Sequence, residues 1–351
     1  MSKSGRRILE GGIGIAVLVV VLLGPAIFNA YWVSAILTQA LLFGIAAASL
    51  IFLSAYGGMV SLAQTALMGI AGFIVGNMVT ERVAGGETKG LTLGWDPTLS
   101  IVLAIVGTTL IAILFGALAA RSAGIYFLML TLTFSVIANY FFGQVTLVSG
   151  FSGIAGINRY TPGFVGDILG HPNRLYYIAA GTALVSYVLI RYVVRTPFGI
   201  ALQGVRDDPV RMASLGYNVP LHRTLAFGFA GFIASLAGVL FVWWQGQISP
   251  PDVGLGSTIE LLVMAVIGGL WRIEGAWLGA LVFVVINNYA QDVDLVADRF
   301  HTLIGVVFLV IVLVSPNGLI GLWERITAGP RRELPMDITQ ERGSAEPTPV
   351  G

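Results

Sequence analysis

The sequence contains no cysteine, which excludes disulfides, iron–sulfur clusters and thiol catalysis and says nothing about compartment. Its three histidines (His171, His222 and His301) are far apart in the chain and do not suggest a metal centre. Charge is also scarce. Asp, Glu, Lys and Arg make up 11% of the residues, against about 25% in an ordinary soluble protein. The net charge is +1 and there is no Lys/Arg-rich block, so nucleic acid has no electrostatic footprint to meet. The chain has neither a G-x-x-x-x-G-K-[ST] phosphate loop nor an H-E-x-x-H pair, which excludes ATP binding by a P-loop and that class of zinc protease.

Apolar residues fill the space. They make up 56% of 351 residues, with a mean hydropathy of +0.87. A single globular core cannot hide that much apolar surface. The apolar total, roughly 197 residues, matches about ten spans of about 20 residues each. The runs place spans near 8–28, 32–54, 60–80, 98–119, 123–142, 174–194, 224–245, 257–271, 276–290 and 301–322. The fold class is therefore an all-α polytopic membrane protein. The run at 60–80 is rich in small residues, which opens the alternative of a re-entrant or discontinuous element. The run at 8–28 follows Lys3, Arg6 and Arg7 and lacks a clean Ala-x-Ala site, so it reads as a retained anchor.

Lys and Arg placement sets the orientation. With the N-terminus inside, fourteen of the 19 fall in cytoplasmic segments and five (Arg82, Lys89, Arg159, Arg174 and Arg299) fall outside. Both termini are then cytoplasmic. The chain divides into a membrane-spanning domain over 1–325 and a polar tail over 326–351 with the composition of disorder. A long loop at 143–173 is external, and another at 195–223 is cytoplasmic.

The span interiors hold essentially no Asp, Glu, Lys or Arg. A proton-coupled carrier usually needs a titratable group there, so the composition argues against that class. A sodium-coupled carrier, which can use carbonyls and hydroxyls, stays open. So does a channel, although no filter-like repeat or charge ring is visible. Gly150-Phe151-Ser152-Gly153 resembles the G-x-S-G of intramembrane serine hydrolases, but His301 sits at a span edge and is poorly placed as its base. Among uncharged polar residues, Ser61, Gln64, Thr65, Thr131, Thr133 and Asn139 are candidates for a solute pathway. They compete with the plainer role of interhelical hydrogen bonding. Thr131 and Thr133 lie on different helix faces, so at most one is expected to face a given path.

The cytoplasmic loop 195–223 has features of a docking surface. Its sequence predicts two short helices, near 198–206 and 209–215, with Asp208 as N-cap, Pro209 at the first position and Gly216 as the C-terminal cap. Val205, Met212 and Leu215 are expected to form an apolar edge beside Arg206, Asp207, Asp208 and Arg211.

At this point the residues resemble a known family. The loop, through Phe198-Gly199, Arg206-Asp207-Asp208 and Gly216, is similar to the coupling segment of ABC importer permeases of the branched-chain amino acid family, M-type subunit. Tyr56-Gly57-Gly58-Met59-Val60-Ser61-Leu62, Gly124-Ile125-Tyr126-Phe127 with Thr131-Leu132, Gly268-Gly269 with Gly275 and Gly279-Ala280, and Pro316-Asn317-Gly318-Leu319 with Gly321-Leu322 follow in the family's order. Departures from the family pattern stand at Gly58, Ala63, Gln64, Gly204, Val205 and Trp271. The resemblance implies a vitamin-B12-importer-like (type II) permease fold in the cell's inner membrane, surrounded by lipid. Its implied partners are a homologous second permease, two cytoplasmic ATPase subunits and an external solute-binding protein. No cofactor is then bound by this chain, since ATP and Mg reside on the partner ATPases. The expected substrate is a branched-chain or related amino acid, with urea, short amides and aromatic acids as alternatives. Phe198, Gly199, Arg206, Asp207, Asp208, Arg211 and Gly216 are the implied ATPase-coupling residues.

Overall fold

The computed structural model describes residues 28–80, 90–163 and 171–290, together with isolated residues beyond those ranges. The spans expected at 8–28 and 301–322 and the tail at 326–351 lie wholly or mostly outside the described residues. Ten helices are considered below, labelled in chain order. Helix α1 begins as a π-helical stretch, Trp32–Leu37, and continues as an α-helix, Thr38–Gly57. It is followed by α2 (Gln64–Val79), α3 (Pro97–Ala119), α4 (Ile125–Gln144) and α5 (Pro172–Arg195). The short helices α6 (Pro197–Asp207) and α7 (Pro209–Ser214) come next, then α8 (Val219–Gln245), α9 (Leu255–Gly268) and α10 (Gly275–Ala290). Among the described residues, five helices are long and apolar enough to cross a membrane: α1, α3, α4, α5 and α8. Helices α2, α9 and α10 are apolar but shorter.

Helix α3 shows which solvent the fold was built for. Its buried face is Ser100, Ala104, Thr108, Ala112, Gly116 and Ala119, and its exposed face is Leu99, Val102, Val106, Leu110, Leu114 and Leu118. In water that arrangement would be inverted. In a bilayer the large aliphatic groups meet lipid, while small residues let helices approach, because lipid tails provide no hydrophobic force between helices.

The centre of the bundle is the antiparallel pair α1 and α8. Phe43 meets Phe241 near one end, and Phe52 meets Phe229 near the other. Helices α2 and α3 pack on α8 through glycines. Gly238 lies so close to the Met68 carbonyl that a Cβ there would overlap it, and Gly231 stands in the same relation to Ala112. The α9–α10 hairpin closes through Gly268, Gly275 and Gly279, whose backbones touch. The Gly-Gly…Gly-Ala stretch noted in the sequence is therefore a close-packing device.

Both central helices end in the same way. Helix α1 stops at Gly58 (φ +64°), whose N–H returns to Leu53, and α8 stops at Gly246 (φ +72°), whose N–H returns to Val242. Each glycine leads through two residues to a serine, Ser61 or Ser249, before a short helix begins. The run expected as a span at 60–80 thus resolves into an extended entry followed by α2. The Gln64 side chain reaches Ser49, eight residues before Gly57, so α2 starts about 12 Å along α1 from its end. Helix α9 is built likewise from the opposite end. A turn at Pro250–Val253 carries the chain inward until Val253 packs on Gly69, in the first half of α2. At that turn Asp252 accepts hydrogen bonds from the Ser249 N–H (2.7 Å) and hydroxyl (2.8 Å). Burial raises the Asp252 carboxyl above its usual value, and the two bonds oppose that shift.

Glycine packing predicts a clean contrast. Gly238→Ala should force α2 and α8 apart and cost about 1–3 kcal/mol, seen as a lower unfolding midpoint in detergent. Gly181→Ala, where a Cβ meets nothing within 4 Å, should not lower it.

Candidate functional site

Two regions carry the residues singled out in the sequence. The first lies inside the bundle, where the entry segment 58–63 passes between α1 and α4. Ser61, Gln64, Thr65 and Thr131 come together here, all at least 98% buried. The Leu62 N–H donates to Thr131 Oγ1 (3.1 Å), and the Ala63 N–H donates to Ser61 Oγ (3.2 Å). Gln64 spans from Ser61 (3.4 Å) to Ser49 (3.1 Å). The Ser49 hydroxyl also lies 2.6 Å from the Ala46 carbonyl. Its single proton serves that carbonyl best, with the Gln64 amide turned to donate to Ser49 and accept from Ser61. Ser49 was not among the sequence candidates, because it sits in the uniformly small and apolar run Ile45–Phe52.

The remaining pathway candidates lie elsewhere. Asn139 ties α4 to the Pro250–Val253 turn, its amide donating to the Pro250 carbonyl (2.7 Å). One helical turn earlier, Ser135 donates to the Val253 carbonyl (2.9 Å) and neighbours Thr258 (2.9 Å). Thr133 is exposed on the outer face of α4 with Met129, Ile137 and Tyr140, and its hydroxyl is spent on the Met129 carbonyl. Two residues along a helix rotate the side chain by about 200°, so Thr131 faces the cluster and Thr133 faces away.

The second region is the loop 195–223. Its two helices form close to their expected limits. Thr196 caps α6, and Asp208 caps α7 by accepting from the Arg211 N–H (2.9 Å). Gly199 is obligatory at the α5–α6 corner, since a Cβ there would overlap the Val193 carbonyl. Gly204 lets α7 fold back, with Met212 lying against the position its Cβ would take. Gly216 (φ +90°) ends α7 in the left-handed region. Phe198 stacks on His222 at 5.7 Å, fastening α6 to α8.

Two expectations about this loop need correcting. Val205 is fully buried on the inner face of α6 together with Leu202, because the α6 apolar stripe is what seats the helix on the bundle. Leu215 is exposed as expected, and it shares the apolar edge with Val210 and Tyr217. Arg206 also turns inward. Its guanidinium donates to the Ala55 carbonyl in the last turn of α1 and pairs with Asp207 (2.7 Å), and its stem lies over Gly58. A side chain on Gly58 would block that contact, which gives the family departure at Gly58 a local reason. Arg211, Asp207 and Asp208 remain exposed. A polar latch that sequence reading missed lies nearby. Glu274 accepts from the Tyr187 hydroxyl (2.9 Å) and pairs with Arg191 (3.6 Å), joining α5 to the α9–α10 turn.

The family model described as branched-chain amino acid transport system / permease component matches residues 32–313. The high-affinity branched-chain amino acid transport system permease protein LivM of Escherichia coli is 26% identical over 146 residues, covering 42% of this chain and 34% of that protein. The chain thus spans about a third of that relative's length. The probable branched-chain amino acid transport permease protein LivM of Methanocaldococcus jannaschii is 22% identical over 325 residues, covering 85% of this chain and 90% of that protein. The fructose import permease protein FrcC of Rhizobium meliloti is 25% identical over 312 residues, covering 84% and 80%. No solved structure matches.

The interior cluster predicts a pair of outcomes. Thr131→Val strands the buried Leu62 N–H and should cost about 1–3 kcal/mol of stability. Thr133→Val, on the outer face, should change the unfolding midpoint by less than about 0.5 kcal/mol equivalent. Thermal unfolding of the two purified variants reads both.

Proposed function

The chain belongs to the family of permease components of branched-chain amino acid transport systems, and from that membership we propose that it takes up branched-chain amino acids across the inner membrane. It is a transport subunit of an ABC importer and not an enzyme. In the proposed assembly it stands beside a homologous second permease, two cytoplasmic ATPases that hold ATP and Mg, and an external solute-binding protein. Both termini lie in the cytoplasm, following the Lys/Arg asymmetry.

The observation that carries this reading is the α6–α7 pair. Its inner face (Leu202, Val205 and Arg206) is fixed to the end of α1, while α7 has no buried residue and presents Val210 and Leu215 outward. A short capped helix with an exposed apolar edge suits an ATPase groove. Movement of α6 is passed through Arg206 to α1, which carries Ser49, and through Ser49 to Gln64 at the start of α2. ATP then shifts the permease between its two accesses through contacts that differ in the two states. A sugar is the second reading of the solute, favoured by the long match to the fructose permease.

Co-purification of the tagged chain from its native host should bring two ATPases and a second permease, and the reconstituted assembly should take up leucine only with ATP. Leu215→Asp should weaken ATPase co-purification. Arg206→Ala should keep the ATPases and their hydrolysis while lowering uptake about tenfold or more, the scale of a lost charge-assisted hydrogen bond. A lone chain that moves leucine without ATP, or full uptake by Arg206→Ala, contradicts the proposal.

A further inference from the structure

We infer that the start of α2 binds the carboxylate of the transported solute, an assignment that rests on the amino-acid reading above and makes it more specific. The argument is a surplus of donors. A helix leaves its first N–H groups without intrahelical acceptors, and in α2 the first such bond runs from Leu67 to Ala63. Ala63, the N-cap residue, has no side-chain oxygen to cap the N–H groups of Gln64, Thr65 and Ala66. The donors just before them are already used, Leu62 by Thr131 and Ala63 by Ser61. The amide of Gln64 is engaged by Ser49 and Ser61.

Thr65 is the second and independent observation. Thr65 is 2% exposed, and among the described residues its hydroxyl has no hydrogen-bond partner. Helical side chains tilt toward the N-terminus, so a residue in the first turn aims its hydroxyl at the same point as the free N–H groups. Three backbone donors and one hydroxyl therefore converge about 12 Å in from the end of α1, at the positive end of the helix dipole. No Asp or Glu lies in the segment from Gly58 to Val79. An acceptor-only anionic group satisfies such a set, and a carboxylate is that group on an amino acid. A sugar hydroxyl brings a donor of its own and suits it less well. The surrounding residues are closed over the site, so the solute reaches it when α1, α4 and the entry segment part.

The test uses the naturally cysteine-free chain in its assembly with partner subunits. Leu62→Cys places a partly exposed thiol beside the site while keeping the Leu62 N–H. Its rate of modification by a small methanethiosulfonate is measured with leucine, 3-methylbutanoate, 3-methylbutylamine or ribose present. Leucine and the acid should protect, and the amine and ribose should not. Adding Thr65→Val should raise the half-protective leucine concentration about tenfold, and Thr65→Ser should restore it. Protection by the amine but not the acid overturns the carboxylate assignment and leaves amino-acid transport standing. Protection by ribose alone overturns both. No protection by any solute, or a thiol that never reacts, while leucine uptake persists, overturns the site alone.

Discussion

A backbone that breaks its helix inside an apolar bundle has no water to turn to, so the polar groups it frees need partners in the protein or in a bound solute. The segment from Gly58 to Gln64 makes such a break, and the rest of the molecule is arranged around it. Thr131 of α4 and Ser61 take two of the freed donors, and Ser49 of α1 holds the Gln64 amide. The second break, from Gly246 to Leu255, is supported with the opposite polarity, Ser135 and Asn139 of α4 donating to the freed carbonyls of Val253 and Pro250. Helix α4 therefore supplies a polar partner to both breaks, on a face kept free of large exposed groups.

Glycine permits the breaks and serine, threonine and asparagine stabilise them. Gly58 and Gly246 turn the chain where any other residue would be strained, and Gly69, Gly72 and Gly238 bring the inserted elements within van der Waals contact. In lipid this contact is the main source of helix association, because burying Leu against Leu gains little over burying it against acyl chains. The same economy operates at the α6–α7 end. Gly58 leaves room for Arg206, and Arg206 joins α6 to α1. The exposed edge of α7 is thereby linked to the helix whose Ser49 touches the interior break.

Much of this was legible in the sequence. The long spans follow from apolar runs, and the α6–α7 pair follows from Asp208-Pro209 and Gly216, whose capping chemistry is local. The discontinuity near residue 60 was visible as a cluster of small residues, but Pro250-Pro251 reads equally well as an ordinary loop, so the inward turn before α9 was not. Side-chain direction was the weakest inference. Val205 was expected on an apolar edge with Met212 and Leu215, yet the apolar stripe of α6 buries it, and Arg206 reaches α1 beside it. Ser49 lay unmarked in an alanine-rich run, since its role depends on Gln64, fifteen residues away. Contacts set by tertiary packing leave no local trace.

The central claim is that the chain enters the bundle from the cytoplasmic side at Gly58 and becomes helical only at Gln64. It is tested most directly by placing single cysteines at each position from 58 to 70 in this cysteine-free chain. Each is then labelled with a membrane-impermeant thiol reagent from either side of oriented vesicles. The account predicts labelling from the cytoplasmic side alone, strongest near 58–60 and fading without helical period through 63, with 66–70 unlabelled. A 3.6-residue rhythm running unbroken from 58, or labelling of 58–60 from the external side, would contradict it.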